Sequence, residues 1–318
     1  MVRQSHTVLT LLIASLIVAT PLATSLSSAS EWVSPHFADN EVVGMVFDRE
    51  GKPGNSLKEV KKSAVQARYV LIGEIHPNPD HHRLQAEILQ HMIDAGRKPA
   101  IVFEMVTRSQ QAVLDNLANN PPADRQAIAQ ALEWHETGWP DFAMYQPLFE
   151  IALKHGLKMW AGNLEKSTVR RLGGRVGSRL SEAERAMLGL DKPLAEQATK
   201  SLKQNIAEGH CNMMPESILP LMADIQRARD FTMATAMQNP ANTDGAVLIA
   251  GSGHTRLDWG VPAYIVQDAS NELVSIGLAE TFEGATANDF SQTRHDFTIV
   301  TPRIDVTDHC ENFKSNKK

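Results

Sequence analysis

Short apolar runs rich in Val and Ile alternate along this chain with longer amphipathic stretches. Six runs read as strands: Tyr69 to Gly73, Ala100 to Glu104, Leu157 to Gly162, Ala246 to Gly251, Leu273 to Leu278 and Phe297 to Thr301. Each is bounded by Gly, Pro, Asn or charged residues. Continuous hydrophobicity within a run marks a strand covered on both faces, and the stretches between them, such as His81 to Ala95 and Pro147 to His155, mark the covering helices. The pattern predicts an α/β fold, a predominantly parallel sheet with helices on both faces. Glu41 to Phe47 adds a candidate edge strand.

The alternation breaks between Ser167 and about Gly209, where no β-rich run occurs and Gly173-Gly174, Gly177 and Pro193 punctuate helical pattern. Ser181-Glu-Ala-Glu reads as a capping-box start. A small helical subdomain inserted over about residues 165–212 is expected. A long helix then runs from about Pro215 to Gln238, with Met222, Met233 and Met237 on apolar positions, where Met serves as core filler. No internal repeat or low-complexity segment is found. The polar, lysine-rich residues 311–318 read as a disordered tail.

The first thirty residues stand apart. Arg3 precedes an apolar run from Val8 to Ala19, followed by small residues up to Ser28-Ala29-Ser30, which is the pattern of a cleaved secretory signal peptide. The run is shorter than the roughly 20 residues of a membrane span; an uncleaved anchor reaching Ala23 is the alternative. No cysteine near the cleavage point offers a lipoprotein anchor. The expectation is one domain over residues 31–310 in an exported, periplasmic protein. Cys211 and Cys310, the two cysteines, permit one disulfide in that compartment. The chain of 318 residues carries a net charge of -6 and is 42% hydrophobic. It therefore has a core to bury and no basic footprint for nucleic acid.

In parallel sheets ligands bind beyond the carboxyl ends of the strands. Here those ends carry Gly73-Glu74-Ile75-His76, Phe103-Glu104, Gly162-Asn163, Gly251-Ser252-Gly253-His254 and Glu280. His76 and His254 each follow a glycine by three residues, and Gly lets the chain turn the next side chains over the sheet edge. Two imidazoles with carboxylates suit a divalent metal held by His76, Glu104 and His254, with Glu74 as the base that activates water. The plain alternative is that both histidines only cap turns. His81 and His82, at a helix start, read as solvated, and His210 beside Cys211 lacks ligand spacing. His135 lies in an aromatic segment with Trp134, Trp139 and Tyr145 that either stacks on a flat ligand or covers the core. Arg227 and Arg229 suit a ligand carboxylate or an active-site glutamate, or form surface ion pairs with neighbours such as Asp230. No Gly-x-Gly-x-x-Gly, P-loop or Gly-x-Ser-x-Gly falls between a strand and a helix, so dinucleotide, phosphoryl-transfer and serine-hydrolase chemistries lose support.

GEIHPNPDHHRLQ at 73–85, IVFEM at 101–105, WHETGWPDFAMYQPLFEIA at 134–152, EGHCNMMPESILP at 208–220, QRARDFTMA at 226–234 and AGSGHTRLDWGVP at 250–262 together resemble the ChaN-like haem-binding uptake family of the Tiki superfamily. The resemblance implies an α/β core with a small helical domain, exported and binding haem for iron acquisition, with a homodimer and a haem receptor or transporter as partners. It also implies a tyrosine on the iron. Tyr69, Tyr145 and Tyr264 are available, and Tyr145 is the first choice because of its aromatic neighbours. His76, Glu104, Arg229 and His254 complete the expected haem site. The hydrolase branches of the same superfamily imply the alternative, a metal-dependent hydrolase built on the two Gly-x-x-His units with Glu74 or Glu104.

Overall fold

Eight strands form one sheet: β1 (Val46–Asp48), β2 (Pro53–Asn55), β3 (Tyr69–Glu74), β4 (Ala100–Thr107), β5 (Met159–Asn163), β6 (Ala246–Gly251), β7 (Leu273–Glu280) and β8 (Phe297–Thr301). Their order across the sheet is β2-β1-β8-β7-β3-β6-β4-β5. The pairs from β8 to β5 are all parallel, and β1 joins β8 and β2 in antiparallel fashion. The computed structural model describes residues 32–173, 180–265, 273–308 and 310–311. The expected signal peptide at 1–30, and the tail from 312, lie outside the described residues.

Alternate side chains of the central strands feed two cores, as the two-residue strand period dictates. Val70, Ile72, Ile101, Phe103, Val247 and Ile249 meet the helices Leu57–Gln66, Pro79–Asp94, Gln111–Asn119 and Phe142–His155 on one face. Leu71, Val102, Leu248 and Ala250 meet Met233 and Met237 of the helix Leu219–Met237 on the other. Met233 and Met237 are thus core residues, and Met222 is only half-buried. Every central strand is covered twice, which is why its sequence is a continuous apolar run.

Three elements differ from the sequence expectation. The edge strand over Glu41 to Phe47 shrinks to β1, because residues 41–44 form turns and Gly44 adopts φ +83°. β2, with Pro53 and Gly54, carries no apolar signal and exists through its pairing with β1. The helix expected from Pro147 begins at Phe142 instead, capped by Asp141, whose carboxylate accepts the Ala143 N–H, and it carries Pro147 in its interior. An interior proline removes one helical hydrogen bond. The apolar face of Phe142, Tyr145, Leu148 and Phe149, all buried, outweighs that loss.

Residues 166–209 hold the helices Lys166–Leu172, Glu182–Met187 and Glu196–Gly209 in their described part. Leu172, Leu188 and Leu190 pack with Leu164 after β5 and Ala228 of the long helix. Cys211, just beyond Glu196–Gly209, forms a disulfide with Cys310. Among the described residues no helix is long and apolar enough to cross a membrane.

Candidate functional site

β3 runs into a helix that leads toward β4 on one side, whereas β7, following β6, lies on the other side of β3. Connections that diverge from adjacent strands leave a crevice at their carboxyl ends. β3 delivers Glu74 and His76 there, β4 delivers Glu104, β5 delivers Asn163, and the turn after β6 delivers His254. Gly73 permits this closeness: a β-carbon on it would lie 2.1 Å from Thr255 Oγ1 and 2.7 Å from Ser252 Cα. Asn78 caps the helix Pro79–Asp94, its side chain accepting the Asp80 and His81 N–H groups, and so fixes the loop that carries His76.

Two hydrogen-bonded clusters result. In the first, Glu74 is buried, and its Oε1 accepts the Tyr145 hydroxyl at 2.9 Å and lies 2.8 Å from His76 Nδ1. Its Oε2 stands 3.0 Å from His82 Nδ1, and His82 Nε2 donates to the His76 carbonyl at 2.8 Å. Burial alone would raise the Glu74 carboxyl, but the His82 charge and the hydrogen bonds from His76 and His82 outweigh it and hold it at about 2. Burial depresses both imidazoles, yet bonds and charge from the carboxylates leave His76 and His82 above their ordinary value.

In the second cluster, Glu104 Oε1 accepts from Arg229 Nη2 at 2.8 Å and lies 3.3 Å from His254 Nε2, while Oε2 accepts the Gly251 N–H at 2.7 Å. Arg229 Nε donates to Asn163 Oδ1 at 3.0 Å, and Asn163 Nδ2 donates to the Glu104 carbonyl at 2.8 Å. His254 Nδ1 meets Asp230 Oδ1 at 2.5 Å. Burial opposes the charged ring, but Glu104 and Asp230 outweigh it and raise His254 to about 9. Burial dominates at Asp230 and lifts it to about 6. Glu104 is driven well below the carboxylate range, its burial outweighed by His254 and Arg229.

Of these groups, the side chains of His76 (29% exposed) and Arg229 (24% exposed) reach the surface, while Glu74, Glu104 and His254 lie at or below 5%. His76 meets the Trp139 ring edge-on at 4.8 Å. Trp139 and Arg229 in turn line a cleft of about 760 Å³ with walls from Met105, Leu132 and Ile225 and charges of both signs, Lys166 and Arg170 beside Glu133, Glu136 and Glu165. That volume suits a ligand of cofactor size. A second cavity of about 530 Å³, around Trp160, Phe231 and Met187, contains none of the clustered carboxylates or imidazoles.

Residues 60–265, well over half of the chain, match the family described as Haem-binding uptake, Tiki superfamily, ChaN. The chain belongs to this ChaN family. A solved structure entitled "Cofacial heme binding to ChaN of Campylobacter jejuni" is 20% identical, with a TM-score of 0.61 over 80% of this chain and 95% of that one. At that identity the likeness shows a shared fold. The type III effector HopBA1 is 12% identical, with a TM-score of 0.43 over 83% of this chain and 99% of that one. No curated protein matches the chain.

Set beside the ChaN-family expectation, Tyr145 is misplaced for an iron ligand. It is fully buried between His82 and Trp134, at ring distances of 4.2 and 5.0 Å, and its hydroxyl is spent on Glu74. Burial and the Glu74 charge keep the phenol protonated. Tyr69 is buried in β3, and Tyr264 is half-buried, its hydroxyl accepting from Arg227 Nε. The metal set of His76, Glu104 and His254 also fails as drawn. Among the described residues no group of three His, Cys, Asp or Glu side chains is arranged to hold a metal ion. The three do come close, with Nε2 of His76 and of His254 at 3.9 and 3.3 Å from Glu104, but both Glu104 oxygens are already engaged, Oε1 by Arg229 and His254 and Oε2 by the Gly251 N–H. Glu74, cast as a base, is fully buried, its Oε1 held by Tyr145 and His76 and its Oε2 without a hydrogen-bond donor.

Other residues move in or out. His81 and His82 are buried rather than solvated: His81 Nδ1 accepts the Ile75 N–H and its Nε2 meets Thr301 Oγ1. Burial pushes His81 down to about 3, which keeps it neutral. Arg227 is tied to Asp224 and the Lys192 carbonyl, Glu280 to Asn78, His210 to the Ile206 carbonyl, and His135 is exposed. His82 and Asp230 are the members that sequence reasoning undervalued. The Asp-His-His run after a cap and the Arg-x-Arg-Asp run gave a signal only for polarity, since burial is not visible in either.

Proposed function

We propose that this chain binds haem at the carboxyl edge of its sheet and serves haem or iron uptake as an exported protein. The observation that carries the reading is the cleft beside Trp139 in a chain of the ChaN family. Met105, Leu132, Ile225 and Trp139 offer an apolar wall for a tetrapyrrole, and Arg229, Arg170 and Lys166, which share the lining with Glu133, Glu136 and Glu165, offer cations for its carboxylates. His76 is the ring of the cluster that is partly exposed, and with Nδ1 on Glu74 its Nε2, 3.9 Å from Glu104 Oε2, is the nitrogen with a lone pair for iron once the ring turns off Gly251. When bound, haem would supply the iron and its visible absorption, while the protein supplies a polar edge and an imidazole held in one orientation. The Cys211–Cys310 disulfide supports an oxidising compartment, in keeping with the expected signal peptide.

Hemin titration followed in the Soret region tests the reading. Saturable binding is expected, weakened by roughly a hundredfold in His76→Ala. Absence of saturable binding by the wild-type chain would sink it. Fusion of residues 1–30 to a reporter active only outside the cytoplasm tests export. A dimer closing over the ligand belongs to the same proposal, and sedimentation with and without hemin checks it.

The Glu74–His76 pair supports a second reading, a hydrolase in which the carboxylate orients the imidazole as general base without a metal. Turnover of an ester panel, abolished by His76→Ala, would favour it.

A further inference from the structure

Glu74 accepts from two side chains and faces a third, and only one of the three belongs to a residue that reaches the surface. Tyr145 and His76 share a single oxygen, Oε1, at 2.9 and 2.8 Å, while His82 faces Oε2. The two buried partners come from two elements of one layer, His82 from the helix Pro79–Asp94 and Tyr145 from the helix Phe142–His155, and they pack on each other at 4.2 Å. Two donors arriving at one carboxylate oxygen from different directions fix its rotation, and a buried carboxylate so held has little freedom to turn away.

We propose that Tyr145 is a positioning residue that acts through Glu74, fixing the neutral His76 ring as the Nδ1–H tautomer so that the lone pair rests on Nε2, the nitrogen that lies against Gly251 and 3.9 Å from Glu104 Oε2. The proposal rests on the haem reading only for what Nε2 would meet. A carboxylate accepts hydrogen bonds, so the ring nitrogen facing Glu74 must carry a proton, and in a neutral imidazole the lone pair then belongs to the other nitrogen. His82 reinforces the arrangement from behind, because its Nε2 donates to the carbonyl of His76 itself and so fixes the backbone from which that ring projects. The Tyr145 hydroxyl thus orders the carboxylate that orders the partly exposed imidazole.

The test uses the full chain without haem and reads the ring nitrogens of His76 by two-bond 15N–1H NMR, with assignment by loss of the signals in His76→Ala. In the wild-type chain, at a pH above the His76 titration, the expected spectrum has a protonated Nδ1 and a bare Nε2. A wild-type spectrum with the proton on Nε2 overturns the proposal without any variant. Tyr145→Phe, checked for folding by circular dichroism, is expected to mix the two tautomers, and Glu74→Gln to do so further. An unchanged His76 spectrum in folded Tyr145→Phe also overturns it. In the hemin titration Tyr145→Phe is expected to weaken binding about tenfold while keeping the Soret shape, as loss of a residue behind a ligand does. Loss of the band to the extent seen in His76→Ala, with the tautomer unmoved, would make Tyr145 the ligand and end the proposal. Failure of the wild-type chain to bind hemin would remove the haem reading and leave the NMR outcome to decide this one.

Discussion

A β-carbon at Gly251 would stand 2.9 Å from Nε2 of His76, so the ring of one Gly-x-x-His unit rests on the glycine of the other. The two motifs are therefore one structure: the glycine that ends β6 makes room for the imidazole that follows β3. Glu104 Oε2 would lie 3.6 Å from the same β-carbon and accepts the Gly251 N–H, leaving the ring no space to retreat toward that carboxylate.

Gly251→Ala is expected to displace His76 and to destabilise the fold by about 1–3 kcal/mol through overpacking. Urea denaturation gives the stability, and the hemin affinity reports the ring. An affinity equal to wild type in the folded variant would show that the His76 position is not critical.

Arg229→Leu removes a cation from buried Glu104 while His254 and the Gly251 N–H remain. Loss of one partner from such a network costs about 3 kcal/mol. Arg229→Lys should recover only part of this, because an ammonium cannot span Glu104 and Asn163 as the guanidinium does. Equilibrium unfolding of the two variants side by side measures both claims.

Stability should be bounded on two sides in pH. His254, raised to about 9 from 6.5, contributes stability that is fully present below 6.5 and is lost as pH rises through about 9. Glu74, lowered from 4.5 to about 2, contributes stability that is present above 4.5 and is lost as pH falls through about 2, and Glu104 acts in the same direction. Asp230, raised to about 6 from 3.8, works against the fold as pH rises across that interval. The melting temperature measured from pH 2 to 10 should fall at both ends, and His254→Gln should flatten the alkaline limb.

The first described residues are built into the loop that carries His76. Asp80 accepts the N–H groups of Val33 and Ser34, the Ser34 hydroxyl bonds Asn78, and Arg83 covers the Trp32 ring at 5.1 Å. Asp80→Asn should free this strap and weaken hemin binding several-fold, as hydrogen exchange at residues 75–78 would register. Unchanged protection there would show that the strap is passive.

The Cys211–Cys310 bond closes a separation of 99 residues, for which restriction of the unfolded chain corresponds to about 4–5 kcal/mol. The midpoint of urea unfolding should fall accordingly in the Cys211→Ser, Cys310→Ser double variant.

Two kinds of information were unequally legible in the sequence. The six parallel strands were readable because burial on both faces leaves a run of apolar residues that few other structures require. Glu74, His76, Glu104 and His254 were readable as one group because each follows or ends such a strand. The burial of Tyr145 is not legible, for a definite reason: Pro147 reads as a helix start and leaves Tyr145 in an open aromatic segment, whereas the helix starts at Phe142 and turns Tyr145 inward.

The sequence by itself determined the strands, the two faces of the sheet and the edge where polar groups collect, since those follow from periodicity and from where the chain must turn. Only the tertiary structure decided which of those groups are buried and which reach the surface. Two histidines at the same distance from a glycine, each beside carboxylates, differ in exposure: His254 is buried between Asp230 and Glu104, and His76, bonded to Glu74, keeps part of its ring exposed. Charge state, tautomer and exposure arise from neighbours far apart in the chain, brought together when β3, β4 and β6 pair and the long helix lays Asp230 and Arg229 across their ends.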